Sequence, residues 1–122
     1  MAYEIRGLLQ LQDGTLRKPV WEVFDEYGSV DWEITRATFQ VRHVNTGAII
    51  SSGDSDNVGE VEINNDDEDR AGNPIKTVRP TIDLRATDTM PGSYKMSFHI
   101  YLDTGEDDVV RQPVQLVNYE GV

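Results

Sequence analysis

The chain has 122 residues, enough to bury one hydrophobic core and too few for two. Its 22 acidic side chains against 11 basic ones leave a net charge of -11, which repels a phosphate backbone and argues against nucleic-acid binding. There is no cysteine to form disulfides or thiolate metal sites, and no run approaches the roughly 18 consecutive apolar residues of a membrane span.

The opening MAYEIRGLLQL lacks the charged, apolar and cleavage segments of a secretory leader, so an exported precursor is not expected. It alternates instead. Tyr3, Ile5, Gly7, Leu9 and Leu11 fall on one face, with Glu4, Arg6 and Gln10 on the other, the period of a half-buried strand. Asp13-Gly14 is a turn signal, and VWEVF (20–24) reads as a short strand starting after Pro19. EYGSVD is expected to be a loop. ATFQVRHV (37–44) alternates again and is followed by Asn45-Thr46-Gly47 and AIISSG, which together predict a hairpin.

From Asp54 to Asp69 there are eight acidic residues and no basic one. VGEVEI (58–63) within this region still alternates, so a short strand is expected between two acidic loops. NNDDEDRAGNP (64–74) reads as a loop, because Asn, Asp, Gly and Pro all favour turns and only Ala71 is apolar. Alternation resumes at Ile82, Leu84 and Ala86. The segment TMPGSYKMSFHIYL then puts Tyr94, Met96, Phe98, Ile100 and Leu102 on one face. Thr104-Gly105 turns the chain into VVRQPVQLVNY. Short strands separated by turn chemistry, with no amphipathic helix, predict one all-β domain: an antiparallel sandwich of seven or eight strands. Pro19 and Pro113 are candidates for marking protected sheet edges.

Several side chains could carry chemistry. His99 should point away from the apolar stripe, and His43 should continue the apolar face of its own strand. No nucleophile elbow, zinc motif or phosphate loop accompanies them, so catalysis is not expected. Asp54, Asp56 and Gly59 match positions one, three and six of a calcium loop. However, Val58 and Asn65 stand where further ligands, including the bidentate glutamate, belong. A looser calcium site from Asp54, Asp56, Asp66 and Asp67 is the metal candidate, against a solvated acidic loop as the simpler expectation; no cofactor is implied. Trp21 lies in a strand and should pack the core. Trp32 and Tyr27, in polar surroundings, are candidates for a sugar platform or a protein contact.

The order of the segments carries a resemblance. Ala37-Thr38-Phe39-Gln40-Val41-Arg42, the run from Gly47 to Gly53, Pro91-Gly92-Ser93-Tyr94 through Asp103-Thr104-Gly105, and Gln112-Pro113-Val114 follow one another over about 70 residues. This resembles the small immunoglobulin-like sandwich of tailed-virus virion proteins, and is similar to the N-terminal domain of the baseplate upper protein family. The acidic segment 64–74 is longer than that pattern requires, and the family continues into further domains, which points away from a receptor-binding arm. Only Lys18, Lys76 and Lys95 are lysines, against eight arginines, and this acid-rich, lysine-poor composition resembles proteins of haloarchaea and their viruses. The resemblance implies a non-enzymatic structural protein of the virion, in tail, baseplate or adaptor. Its partners would be other virion proteins and copies of itself. Capsid decoration, or a module binding host-surface glycan, are the alternatives. Partner contacts are expected around Tyr27 and Trp32 and on the terminal segment holding Tyr119.

Overall fold

Period-two alternation along most of the chain is realised as two packed sheets. The computed structural model describes residues 3–6, 9–12, 15–25, 31–85 and 92–117. One sheet has four strands: β1 (Tyr3–Arg6), β4 (Trp21–Asp25), β8 (Pro74–Pro80) and β7 (Val61–Glu68), in the order β1-β4-β8-β7. The other has five: β2 (Leu9–Gln12), β11 (Asp107–Val117), β10 (Gly92–Leu102), β5 (Ile34–His43) and β6 (Ile49–Asp54), in the order β2-β11-β10-β5-β6. A ribbon of β3 (Leu16–Arg17) and β9 (Ile82–Asp83) completes the eleven strands among the described residues. Pairing is antiparallel except between β2 and β11. Read in chain order, these layers are the ABED and GFCC′ sheets of an immunoglobulin sandwich. The fold is an all-β, immunoglobulin-like sandwich.

The core is the inner face of both sheets. Tyr94, Met96, Phe98, Ile100 and Leu102 are all buried, as their alternation predicts, with Ala37, Phe39 and Val41 beside them on β5 and Trp21, Val23, Val61 and Val78 buried from the other sheet. In antibody domains a disulfide joins strands B and F at the centre of such a core. Here the equivalent strands are β4 and β10, and they meet through rings. Trp21 lies 5.6 Å from Phe98 at 59°, and Phe98 lies 6.2 Å from Phe39 at 39°. Such pairs contribute about 0.5–1.5 kcal/mol each beyond their burial, so a chain without cysteine is tied across its middle by aromatic packing.

Three expectations are corrected. The single N-terminal strand is two: β1 pairs with β4 in one sheet, and β2 runs parallel to β11 in the other. One local alternation is thus divided between the edges of two layers. The strand near residue 60 does not stop at Ile63. It continues as β7 to Glu68, paired with β8 through Asn64↔Thr77, Asp67↔Ile75 and Glu68↔Pro74, with a bulge between Asn64 and Asp67. Cross-strand partners overcome local turn preference here. The Lys76 ammonium donates to the Asn65 carbonyl at 2.8 Å, and the Thr77 hydroxyl donates to Asp67 at 3.1 Å. The turn itself is confined to 69–73, where Asp69 accepts the Ala71 and Asn73 N–H groups at 2.9 Å each and Gly72 takes a φ of 82°. Finally, Pro19 precedes β4, an interior strand, and so guards no edge.

Asn65 also fastens the two layers together. At the bulge its side chain accepts the Ile34 N–H at 2.8 Å and donates to the Ile34 carbonyl at 3.0 Å. A side-chain amide thereby completes the backbone bonding at the start of β5, in the opposite sheet.

Candidate functional site

The inward stripe of β10 leaves Lys95, Ser97, His99 and Tyr101 on the outer face of the five-stranded sheet, since successive side chains alternate. Register brings Arg36, Thr38, Gln40 and Arg42 of β5 beside them, with Val109 and Arg111 of β11 on the other side and Ser52 and Asp54 of β6 beyond β5. Together they line a broad, open depression of about 790 Å³. Its lining is mostly polar, unlike the enclosed apolar pockets that hold small ligands.

The two ends of this face differ. At one end every charge has a partner. Arg36 meets Asp54 through Nε to Oδ1 at 3.1 Å and Nη2 to Oδ2 at 2.5 Å, and its Nε lies 3.3 Å from Asp56. This guanidinium, helped by the Asp56 N–H, holds the Asp54 carboxyl at about 2, well below the usual carboxylate range, while Asp54 in turn raises Arg36. The Arg36 guanidinium also sits 5.2 Å from the centre of the Tyr101 ring. Tyr101 stacks on His99 at 4.2 Å and 14°, and His99 Nε2 lies 2.6 Å from Asp107. The series Asp54–Arg36–Tyr101–His99–Asp107 thus crosses four strands. At the other end stand Arg42, Lys95 and Arg111, all exposed. Arg42 donates to Gln40 at 3.1 Å, and no carboxylate pairs with any of the three among the described residues.

The residues singled out from sequence fare unequally. His99 does point outward, and His43 does join the inner face, edge-on to Tyr94 at 4.9 Å, with Nδ1 accepting from Thr46 N at 3.1 Å. The two histidines therefore lie on opposite faces of one sheet. The partnership of His99 with Asp107 was missed. Asp107 is a diagonal neighbour, because His99 pairs with Val109, and finding it needs the hairpin register. The second ring nitrogen of His99 is 3.4 Å from the Tyr101 hydroxyl, and no serine or threonine hydroxyl bonds to the ring among the described residues. The Asp107 carboxylate and the Tyr101 ring together orient the imidazole.

Trp32 is corrected: it is 3% exposed and belongs to the core, so it offers no platform. The polar neighbours Asp31 and Glu33 concealed this, since strand β5 begins only at Ile34. The calcium candidates do not converge either. Asp54 and Asp56 surround a guanidinium, Asp67 serves Thr77, and Asp66 stands exposed on β7 in the other sheet. No group of three metal-ligating side chains occurs among the described residues. Tyr27 and Tyr119 lie outside the described residues.

No protein-family model and no curated protein sequence matches the chain. Among solved structures it is similar to CopC from Methylosinus trichosporium OB3b, at 9% identity over 99% of both chains with a TM-score of 0.47. It is also similar to murine CRIg, at 10% identity over 96% of each chain with a TM-score of 0.42. A third likeness is to the sialic acid binding region of a Streptococcus sanguinis SK1 adhesin, at 13% identity, covering 97% of this chain and 29% of that one with a TM-score of 0.41. Likenesses of this degree concern the sandwich alone, and the fold assignment rests on the strand order.

Proposed function

We propose that this protein is a non-catalytic structural component of a tailed-virus particle, in the tail or baseplate, and that it works through protein–protein contacts. The observation that carries the reading is the outer face of the five-stranded sheet. It is wide, open and polar, with one end held by the Arg36 and His99 pairs and the other presenting three cations that no carboxylate pairs with among the described residues. A pre-organised open surface suits a large partner, because less side-chain ordering remains to be done on binding. The resemblance of the segment order to that of virion sandwiches supplies the context.

The test is made on purified particles from the source of the sequence. Peptides of this chain should appear in the particle by mass spectrometry, and gold-labelled antibody should mark the tail or baseplate. Label on the capsid shell would move the protein to a decoration role. Its absence from particles would overturn the reading.

A further inference from the structure

We propose that the cation cluster Arg42, Lys95 and Arg111 binds the acidic β7 edge of a second copy of this chain, joining copies head to tail. The proposal rests on the assembly reading above and names the two surfaces that would meet.

The basic half is unusual for what surrounds it. Arg42 and Lys95 are directly opposite in the β5–β10 register, a placement that disfavours like charges. Arg111 faces Ser97, diagonal to Lys95, so the three cations form a triangle across β5, β10 and β11. Carboxylates outnumber cations two to one in this chain, and two of them, Asp54 at the end of β6 and Asp56 just beyond it, flank Arg36 of β5. None reaches the triangle among the described residues. Nothing among the described residues balances these charges. An anionic partner does.

The acidic half is on the same molecule. Glu62, Asp66 and Glu68 are exposed along β7, the edge strand of the four-stranded sheet, and none is in an ion pair among the described residues. Residues two apart on a strand advance about 7 Å. Diagonal cross-strand neighbours such as Lys95 and Arg111 are about 7–8 Å apart, so the two patterns match in scale. The charges and the bulge of β7 oppose strand addition at this edge, so the contact is made by side chains onto a face. The two surfaces belong to different sheets, which makes the contact heterologous. Each copy keeps one free surface of either sign, and the product is a ring or a filament.

A charge swap tests this, with sedimentation velocity as the readout and circular dichroism to confirm folding, at an ionic strength that keeps the chain folded. Wild-type protein should self-associate. The variants Arg42→Glu/Lys95→Glu and Asp66→Lys/Glu68→Lys should each lose association on the order of tenfold or more, and their equimolar mixture should regain it. The neutral variant Arg42→Gln/Lys95→Gln should also associate less, because it removes two cations from the contact. Wild-type protein that stays monomeric, variants that associate unchanged, or folded variants that fail to associate when mixed would each overturn the proposal. A monomer in solution that is still found in particles removes the head-to-tail contact and leaves the assembly reading standing.

Discussion

Gly53 faces Phe39 across the β5–β6 pair, and a methyl group built there would sit 2.6 Å from the Phe39 ring and 3.1 Å from the Glu60 Cβ. Phe39 is packed against Phe98 and cannot swing away freely. Gly53→Ala should therefore cost about 1–3 kcal/mol, the usual range for overpacking a core, measured by urea unfolding. An unchanged midpoint would show that the ring shifts without strain. Asn65 makes a different demand. Asn65→Leu removes both partners of the Ile34 backbone, and each partly buried group left unpaired costs about 1–3 kcal/mol. Asn65→Asp should also destabilise, because it keeps the acceptor but sets a carboxylate against the Ile34 carbonyl. At this scale the sequence was legible where one face decides: Tyr94 and Phe98 are buried as their alternation predicts, and Trp21 as its place in a short apolar strand predicts. Trp32 was not, because it precedes β5 between two acids and no alternating strand pattern carries it inward.

Strand β7 is the element in which local and long-range preferences conflict. Asn and Asp favour turns, yet the backbone of β8 offers a template, and Lys76 and Thr77 supply partners to the acidic segment. Nothing in residues 64–68 alone announces those partners, which lie about ten residues ahead. Across the outer face, the Arg36–Asp54 pair links β5 to β6 and makes a pH prediction. Because Asp54 titrates at about 2 when folded, below its ordinary 3.8, the pair stabilises the fold above about pH 4. That contribution is lost as pH falls through 2. In Arg36→Gln the Asp54 midpoint should rise towards 3.8 while staying somewhat below it, since the Asp56 N–H still donates to the carboxylate at 3.0 Å. Carbon-detected NMR titration of the Asp54 carboxyl reads this directly. A midpoint that stays at 2 would mean the guanidinium is not the cause.

For the whole molecule, charge is the governing quantity. With 22 acidic and 11 basic side chains, half of the carboxylates have no cation to pair with. Their mutual repulsion is screened as the Debye length falls from about 10 Å at 0.1 M salt to about 3 Å at 1 M. The unfolding temperature should therefore rise between these salt concentrations, in a neutral salt such as potassium chloride. A constant or falling temperature would remove the salt-adapted reading. The head-to-tail contact has the opposite dependence and should weaken over the same range, so the two effects can be separated in one titration series. The sequence by itself determined that this chain folds as sheets with one core, which strand faces enter that core, and that its surface is acidic. Those properties follow from side-chain period and composition, which need no partner to be read. Only the tertiary structure decided the division of the N-terminal segment between two sheets, the pairing of the acidic segment as β7, and the gathering of Arg42, Lys95 and Arg111 into one corner. Each of these depends on register between segments far apart in the chain, and no local pattern encodes that register.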